Sequence, residues 1–505
     1  MTAESTARAG RNNFLLGLIG GIVAMLLTGC SAVGSYHSTR TYDLPVDSKI
    51  ATAAVRYEGM ARNPVIVIHG FLGSRLNNVR TGEDVWGTFP GTELLETASR
   101  DQLRQMSHPM GYGKSLKELQ GDVVAVGLLD RVKVQLLGLT FYLDAYDRLI
   151  DILEDAGYQL EGKPLPEEKH FYSLFVFYYD WRRDLPENAA RFHRFILEKQ
   201  AYMQREYEKN YNVRNAPVKF DIVAHSMGGL LARYYLMYGD QDLPADRTPP
   251  VLNWTGSEHI NKMILVGTPN AGYLDTCLEL VDGLQVAPGT PSYPPALLGT
   301  YPSYYQMLPP PETRSVLDAR HPDGPAVDLF DPQVWMRYRW GLADPDQDDI
   351  LQILLPSVKS ADERRKIALD HLTKCLDRAR RFAAAMKVHG TPPAGVSLFL
   401  FLGDSVPTRR TAVVYPDGEL KVTEYEKGDG KVLASSALFD EREGRPWQPF
   451  LSSPIPWTSI MYLNTAHMGI TSSRDFANNV TSMLLDFPLR QPVSAARQTP
   501  ASVHP

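Results

Sequence analysis

The segment from residue 218 to residue 236 constrains the fold of this chain more than any other. Residues 218–223 alternate in polarity and include β-branched side chains, which predicts a short buried strand. From Gly229 onward, apolar residues recur at helical spacing. Between strand and helix lies Ala224-His225-Ser226-Met227-Gly228, which matches a G-x-S-x-G turn with alanine in the first position. Small residues are needed where strand and helix backbones pass close together, so the segment predicts Ser226 as a nucleophile rather than an inert serine.

A second strand and loop precede this segment. Residues 64–68 form a continuous β-branched run of the kind that a parallel sheet buries on both faces, and the glycine-containing loop His69–Ser74 follows directly. In hydrolases with such a turn, this loop supplies one backbone N–H group to an oxyanion hole, and the residue after the nucleophile supplies the other. We therefore assign the amides of Phe71 and Met227 to that role. His69 is interpreted as shaping the loop, because the catalytic base is expected late in the chain.

The complete pattern predicts an α/β fold, namely an α/β-hydrolase with a mostly parallel sheet. Further strands are predicted at 171–179, 263–266, 396–402 and 457–463, and helices at 141–156, from Pro186 to about 207, near 350–355 and at 361–386. The predicted organisation is a leader at 1–29, a tether at 30–59, a first core segment at 60–272 with a lid excursion at 80–113, a cap insertion at 273–390, a second core segment at 391–488 and a disordered tail at 489–505.

The first thirty residues predict export and lipidation. Arg8 and Arg11 form a weakly basic start, and residues 14–27 are an apolar run too short for a comfortable membrane span. The sequence Leu-Thr-Gly-Cys30 then resembles the bacterial lipobox, whose cysteine becomes the lipidated first residue of the mature protein. The resemblance implies acyl chains on Cys30 and a lipid anchor in the bacterial cell envelope, with Ser31 favouring the outer membrane. An N-terminal anchor helix that is retained is the alternative.

Composition excludes some partners and cofactors. The net charge is −6 and there is no basic stripe or basic tail, so we expect no binding to nucleic acid. No P-loop and no cluster of histidine and cysteine ligands occurs, so we expect neither a metal nor a nucleotide cofactor. Cys277 and Cys375 are the cysteines that follow Cys30, and spacing alone leaves open whether they form a disulfide.

The order of a catalytic triad in an α/β-hydrolase is serine, then acid, then histidine. His467 lies between His389 and the tail residue His504 and follows a strand-like run, so it is the candidate base. Two aspartates are candidates for the acid. Asp404 directly follows the strand predicted at 396–402, whereas Asp429 lies in a loop flanked by glycines. The pattern of residues alone does not choose between them.

Eight motifs occur in an order that resembles the lecithin:cholesterol acyltransferase family, over roughly residues 60–475. They are HGFLGS (69–74), YDWR (179–182), AHSMGG (224–229), GTPNAG (267–272), PSYYQMLP (302–309), GDSVPT (403–408), GDGKV (428–432) and HMGI (467–470). In that family the triad acid lies in the later Gly-Asp-Gly motif, which implies Asp429 rather than Asp404. The resemblance therefore implies a triad of Ser226, Asp429 and His467.

Three features depart from the family pattern. No cysteine lies between Cys30 and Cys277, whereas animal members fasten their lid with a disulfide, so packing alone is expected to hold the 80–113 excursion. His69 stands where the family often has proline. Lys431 replaces the usual threonine after Gly-Asp-Gly, which weakens the resemblance at the acid.

The resemblance implies a serine-dependent lipid O-acyltransferase or phospholipase that acts on membrane phospholipid acyl esters through an acyl-enzyme. The expected partners are a phospholipid or other acyl-ester lipid, a membrane surface, and an alcohol or sterol as acceptor. A general carboxylesterase or triacylglycerol lipase is the first alternative. A non-catalytic surface lipoprotein that uses the fold for binding is the second.

Overall fold

The computed structural model describes residues 49–87, 98–129, 131–136, 139–144, 146–286, 291–442 and 448–485. The predicted leader, Cys30 and the predicted tail lie outside these residues. The chain divides into a unit of residues 1–47 and a unit of residues 48–505, and the described residues belong to the second. Lys49–Arg56, within the predicted tether, forms a helix. None of the helices in the described ranges combines the length and the apolar character that crossing a membrane requires.

The strands of the described residues are, in chain order, β1 (Val65–Ile68), β2 (Ser74–Asn78), β3 (Asp84–Trp86), β4 (Val123–Leu128), β5 (Arg131–Leu136), β6 (Leu139–Asp144), β7 (Leu174–Phe177), β8 (Phe220–His225), β9 (Ile260–Val266), β10 (Leu284–Gln285), β11 (Ser292–Tyr293), β12 (Val316–Asp318), β13 (Ser397–Gly403), β14 (Val406–Val414), β15 (Leu420–Gly428) and β16 (Ser459–Leu463).

The α-helices of these residues are α1 (Lys49–Arg56), α2 (Arg100–Met106), α3 (Asp147–Asp155), α4 (Leu185–Tyr211), α5 (Met227–Tyr238), α6 (Leu274–Asp282), α7 (Pro295–Leu298), α8 (Pro302–Tyr305), α9 (Pro332–Tyr338), α10 (Asp348–Leu354), α11 (Ala361–Met386), α12 (Ala434–Leu438) and α13 (Arg474–Leu485). Short 3₁₀ helices lie at Leu116–Glu118, Thr255–Glu258, Pro311–Thr313, Gly341–Ala343, Pro345–Gln347 and His467–Ser472.

Six parallel strands form the central sheet, in the order β16-β13-β9-β8-β1-β7. Every residue of β1, β8 and β9 is buried, as expected for apolar strands covered on both faces. Ile68 lies opposite Phe177 on one side and Ala224 on the other, so β1, β7 and β8 reach the carboxyl edge of the sheet together. This is the α/β-hydrolase fold that the sequence predicts, and loops at this edge are where such sheets bind ligands.

Helix α5 lies between a core helix and the longest helix of the 273–390 segment. All twelve residues of α5 are buried. Tyr235 packs edge-on against Phe192 of α4, with 5.0 Å between ring centroids. On another side Tyr234 stacks with Phe382 of α11, at 5.7 Å. Contacts from both helices therefore fix the helix that follows Ser226.

The prediction of one helix over 141–156 is wrong in its first part. Leu139–Asp144 is a strand that pairs antiparallel with β5, and the helix begins at Asp147. The apolar residues at 143, 146, 149, 150 and 153 follow helical spacing, which extends the prediction too far back. The preceding Leu-Thr-Phe-Tyr-Leu also has the aromatic and β-branched content of a strand, and pairing with β5 satisfies its backbone.

The β14–β15 hairpin is absent from the sequence prediction. Its strands pair antiparallel and join β12 in a second sheet of three strands. Most residues of β15 are exposed, so its charged sequence gives little apolar signal. The hairpin ends at Gly428, directly before Asp429, so it positions the candidate acid.

Hydrogen bonds as well as packing hold the 80–113 excursion, which corrects the prediction that packing alone does so. Arg182 Nη1 donates to the carbonyl oxygens of Met106 at 3.0 Å and Ser107 at 3.3 Å, at the end of α2. Arg182 Nε and Nη2 bind the two carboxylate oxygens of Asp180 at 2.9 and 2.8 Å. The last carbonyl groups of a helix have no partner within the helix, and the buried guanidinium supplies donors to them.

The two cysteines of the described residues do not pair. Cys277 in α6 and Cys375 in α11 are both free and buried. Burial raises the pKa of each thiol, which keeps both sulfur atoms protonated and unreactive at neutral pH.

Candidate active site

Ser226 occupies the strained position between β8 and α5. Its backbone angles are φ 54° and ψ −126°, a conformation that non-glycine residues rarely adopt. A β-carbon added to Gly228 would lie 2.3 Å from the carbonyl oxygen of His69, which explains the glycine two residues after the serine. Ala224 is fully buried between β1 and β9. The small residues of the motif therefore allow close passage of three backbone segments, as the sequence predicts.

The structure brings Ser226, His467 and Asp429 together. His467 Nε2 lies 3.0 Å from Ser226 Oγ, and His467 Nδ1 lies 2.7 Å from Asp429 Oδ2. The three residues come from the end of β8, the loop after the β15 strand and the loop after the β16 strand. The His467 imidazole thus connects Ser226 with Asp429, and the three residues follow one another along the chain in the order serine, acid, histidine.

The loop around Asp429 stabilises the charged carboxylate. Asp429 Oδ1 accepts hydrogen bonds from the amides of Val432 at 2.7 Å and Lys431 at 2.9 Å. Burial disfavours ionisation, but His467 and these two amides together lower the pKa of Asp429 below its ordinary value. Asp404 makes a different contact, since its own amide donates to the carbonyl oxygen of Leu463 at 3.4 Å. Of the two aspartates considered from the sequence, Asp429 is the one that His467 contacts.

Two glycines leave room for the imidazole and the carboxylate. A β-carbon on Gly267 would lie 3.2 Å from His467 Cε1 and 3.3 Å from Asp429 Oδ2, and its φ of 57° also favours glycine. A β-carbon on Gly403 would lie 2.7 Å from Asp429 Cβ. These positions explain why a glycine directly follows β9 and why β13 ends in a glycine next to the site.

The loop after β1 passes directly beside Ser226. A β-carbon on Gly70 would lie 2.8 Å from Ser226 Cβ. The Gly70 carbonyl oxygen accepts hydrogen bonds from His69 Nδ1 at 2.8 Å and from the amide of Gly73 at 3.2 Å. Because a peptide group is planar and trans, the N–H of Phe71 points away from these two donors.

The amides assigned to the oxyanion hole have no acceptor among the described residues. Neither the Phe71 nor the Met227 N–H group donates a hydrogen bond there. Met227 is the first residue of α5, where an amide has no partner within the helix and the helix dipole favours negative charge. Neither amide therefore has a competing acceptor there, and their assignment to an oxyanion hole stays a prediction.

His69 shapes the loop and is not placed to act as a base. Its Nε2 accepts the amide proton of Tyr179 at 3.1 Å, and its ring stacks on that of Tyr179 with 4.3 Å between centroids. Complete burial lowers the pKa of His69 to about 4, against a weaker opposing effect of the bond to Gly70. Both ring nitrogens are engaged by backbone groups, so the imidazole acts as a neutral support.

Lys431, which departs from the family pattern, links the acid loop to α6. Its Nζ lies 3.0 Å from Asp275 Oδ2 and 2.9 Å from Glu279 Oε1. Burial favours the neutral amine, but Glu279 and Asp275 raise the pKa of Lys431 above its ordinary value. Glu279 also accepts a hydrogen bond from the Tyr304 hydroxyl, and the Tyr304 ring stacks on Phe71 at 4.6 Å. Lys431 therefore connects the acid loop, through Glu279 and Tyr304, with Phe71 of the oxyanion loop.

Two residues near the site have roles that the sequence prediction misses. Arg182 belongs to the YDWR motif, so the motif identifies its position but not its contacts with α2. Tyr146 counts in the sequence only as an apolar member of the predicted helix, yet its hydroxyl bonds the amide of Gly70 at 2.7 Å. The periodicity of apolar residues cannot distinguish a tyrosine that only packs in the core from one whose hydroxyl also forms hydrogen bonds.

A protein-family model matches the middle part of the chain. Residues 124–317 match the lecithin:cholesterol acyltransferase family. The match includes the turn at Ser226, the GTPNAG motif and the PSYYQMLP motif, and it ends before Asp429 and His467. The family resemblance inferred from the motifs is thus confirmed over this part of the chain.

One solved structure shows a similar fold over most of this chain. A chain in the crystal structure of the Tle4–Tli4 complex matches with a TM-score of 0.51 and 14% sequence identity, covering 84% of this chain and 98% of that one. The crystal structure of Bacillus licheniformis lipase BlEst2 in propeptide form matches with a TM-score of 0.31 and 9% identity, covering 87% of this chain and 54% of that one. No curated protein sequence matches this chain.

The part of the chain that the structure describes contains no group of three or more histidine, cysteine, aspartate or glutamate side chains that could hold a metal ion.

Proposed function

We propose that this protein is a serine-dependent phospholipase or lipid O-acyltransferase that acts on the acyl esters of membrane phospholipids. The family match and the lipase-like α/β-hydrolase fold identify the general class of enzyme. The observation that carries the specific proposal is the hydrogen-bonded series from Ser226 Oγ through His467 to Asp429, at 3.0 and 2.7 Å. A serine held at a strained backbone position, in contact with such a pair, has the geometry of an activated nucleophile.

The reaction begins with attack on the ester carbonyl. Ser226 Oγ bonds to the carbonyl carbon while His467 Nε2 takes the hydroxyl proton, and Asp429 holds the other ring nitrogen and stabilises the imidazolium. The carbonyl oxygen becomes negatively charged and accepts hydrogen bonds from the amides of Phe71 and Met227. Loss of one such donor costs about 3 kcal/mol of transition-state stabilisation in comparable sites.

The acyl group then leaves the enzyme in a second step. His467 gives its proton to the departing alcohol, and an acyl ester on Ser226 remains. Water or an alcohol attacks this ester as His467 removes its proton, and His467 then passes that proton to Ser226 Oγ as the acyl group leaves. If water attacks, the enzyme acts as a phospholipase; if an alcohol or sterol attacks, it acts as an acyltransferase. The same residues take part in both reactions.

The family match supports a lipid substrate over the small esters of a general carboxylesterase. It covers the YDWR motif and α8, which each place an aromatic ring against Phe71 of the oxyanion loop. Trp181 packs edge-on against Phe71 at 4.9 Å, and Tyr304 stacks on the Phe71 ring at 4.6 Å. A triacylglycerol lipase remains the nearest alternative. A surface lipoprotein without activity would have no use for the strained Ser226 and its hydrogen-bonded partners.

We also propose that Cys30 carries a lipid anchor that keeps the active site beside its substrate. Two or more acyl chains hold a protein at a bilayer, whereas one chain binds only marginally. Cys30→Ala should leave hydrolysis of a small dispersed ester unchanged and reduce activity on vesicles. Equal loss of both activities, or a cleaved variant that stays in the membrane pellet, would show that anchoring through Cys30 is wrong.

One experiment separates the candidate reactions. Purified protein is incubated with a phospholipid labelled in its acyl chain, with and without a sterol or long-chain alcohol, and in parallel with a labelled triacylglycerol. Thin-layer separation shows free fatty acid for hydrolysis and a new ester for transfer. Ser226→Ala serves as the control for background hydrolysis. Activity on triacylglycerol alone would contradict the phospholipid proposal, and no product from any substrate would contradict enzymatic function.

A further inference from the structure

We propose that Tyr146 is a positioning residue of this active site, which holds the oxyanion loop against the nucleophile turn by bonding Gly70 and His225 at once. The inference rests on the proposed function, since it concerns the geometry of the same reaction. It adds a residue that lies outside the triad and outside the motifs of the sequence.

The Tyr146 hydroxyl joins the two segments that flank the reacting atoms. Its oxygen accepts the amide proton of Gly70 at 2.7 Å and lies 2.9 Å from His225 Nδ1. Gly70 precedes Phe71, whose amide is assigned to the oxyanion hole, and His225 precedes Ser226. One oxygen atom therefore determines the separation between a residue beside the oxyanion donor and a residue beside the nucleophile.

The direction of each hydrogen bond follows from the number of available protons. The Gly70 amide can only donate, so the phenol oxygen is its acceptor. The one phenol proton then has His225 Nδ1 as its acceptor among the described residues, which places the imidazole proton on Nε2. Burial raises the pKa of Tyr146, so the phenol keeps the proton that this arrangement needs.

His225 lies against the catalytic histidine on its other side. The rings of His225 and His467 have 4.9 Å between centroids. Burial, and then the charge of His467, lower the pKa of His225 to about 3, so it stays neutral when His467 is protonated. A neutral ring fixed by Tyr146 occupies this position without competing for the proton that His467 removes from Ser226.

The helix that follows Tyr146 contacts the short helix that begins at the base. Tyr146 directly precedes α3, and α3 contacts the short helix that begins at His467. The Tyr146 ring is 2% exposed and meets the ring of His225 edge-on, at 5.6 Å. Tyr146 or the helix that follows it therefore contacts the residue before the nucleophile, the oxyanion loop and the short helix that begins at His467.

Tyr146→Phe removes the oxygen and keeps the ring, so it tests this role directly. A displacement of about 1 Å in a catalytic group can lower turnover about 100-fold. We expect kcat on a soluble ester to fall between about 10-fold and 100-fold while KM changes less than about threefold. Inhibition by an alkyl boronic acid, whose adduct on Ser226 places an oxygen in the oxyanion hole, should weaken by the same factor as kcat/KM.

Two further variants distinguish positioning from loss of stability. Tyr234→Phe is the matched control, because Tyr234 is also fully buried and its hydroxyl donates to the carbonyl of Gln241 at 2.8 Å, away from the triad. It should lower Tm by a similar amount and leave kcat unchanged. His225→Asn keeps an acceptor at the position of Nδ1 and should retain most activity, whereas His225→Ala should lose it.

The outcomes separate the two proposals. If the wild-type protein hydrolyses no ester, the proposed function fails, and the role of Tyr146 fails with it. If the wild type is active and Tyr146→Phe keeps kcat within about twofold, only the positioning role is overturned. A fall in kcat without a matching loss of boronic acid affinity would also overturn it, because the oxyanion hole would then be intact.

Discussion

Asp429 and His467 are joined by two hydrogen bonds, one between side chains and one between main chains. Asp429 Oδ2 lies 2.7 Å from His467 Nδ1, and the Asp429 carbonyl oxygen accepts the His467 amide proton at 2.8 Å. The second bond holds the two backbones close together, which keeps the side chains within reach of each other. This relationship supports the proposal that Asp429 sets the tautomer and the orientation of His467.

Replacement of the acid should distinguish Asp429 from Asp404. Asp429→Asn can still accept the two amide protons but favours the wrong tautomer of His467, a change that costs about 10⁴ in turnover in a comparable triad. Asp404→Asn is the matched control and should keep most activity. The measurement is kcat on a soluble chromogenic ester. The reverse ranking of the two variants would show that Asp404 is the acid.

Loss of Arg182 should destabilise the protein and release the excursion around α2. Arg182 and Asp180 are 3% and 2% exposed at their side chains, so Arg182→Met leaves a buried carboxylate without a charge partner. Breaking such a buried pair costs about 3–5 kcal/mol. We expect a lower urea midpoint and faster proteolytic cleavage within residues 98–113.

The control for that variant is an exposed ion pair. Arg80 and Asp122 are 75% and 51% exposed at their side chains, so Arg80→Gln should change the free energy of unfolding by less than about 1 kcal/mol. Equal effects of the two substitutions would contradict the anchoring role of Arg182.

Buried neutral histidines should make the folded state less stable as the pH falls. Burial lowers the pKa of His69 to about 4 and that of His371 to about 4, from an ordinary value of 6.5. The unfolded chain therefore takes up protons below about pH 6.5 that the folded chain does not, and each costs about 1.4 kcal/mol per pH unit until the folded pKa is reached. Stability should be complete above pH 6.5 and decline towards pH 4.

Urea unfolding at pH 7.5, 6.0 and 5.0 measures this decline. His371 Nε2 lies 3.1 Å from the carbonyl oxygen of Thr300, and His371→Gln keeps a donor there while removing the titrating ring. That variant should have a smaller pH dependence, whereas a change at the exposed His321 should leave the dependence as it is. Equal stability at pH 7.5 and 5.0 would contradict the neutral burial of these rings.

The sequence predicts the central strands and the nucleophile because local pattern determines both. The apolar sequences of residues 218–223 and 64–68 are sufficient to indicate strands that are buried on both faces. The turn at Ser226 is indicated by the small residues within the motif itself. The structure brings Ser226, His467 and Asp429 within hydrogen-bond distance of one another, and the assignment of Phe71 and Met227 to an oxyanion hole stays a prediction. The preference for Asp429 over Asp404 depends on the family resemblance, because both residues follow strands. Only their tertiary contacts distinguish them.

Other features depend on partners far away in the chain. The charged strand β15 is stable because β14 pairs with it, so its own sequence gives little indication of a strand. Leu139–Asp144 becomes a strand through pairing with β5, although its apolar spacing also fits the helix that follows. Arg182 contacts α2 across 76 positions, and Tyr146 contacts Gly70 at the same separation. Contacts of this kind appear only when the chain is folded.

Covalent labelling of Ser226 tests the proposed chemistry most directly. The wild-type protein is treated with a fluorophosphonate and analysed by peptide mass spectrometry, beside Ser226→Ala and Asp429→Asn, with circular dichroism as the check on folding. We expect one phosphonylated peptide that contains Ser226, no labelling in the alanine variant, and labelling of the asparagine variant that is slower by about three to four orders of magnitude. Labelling of folded Ser226→Ala at the wild-type rate would contradict the assignment of Ser226 as the nucleophile.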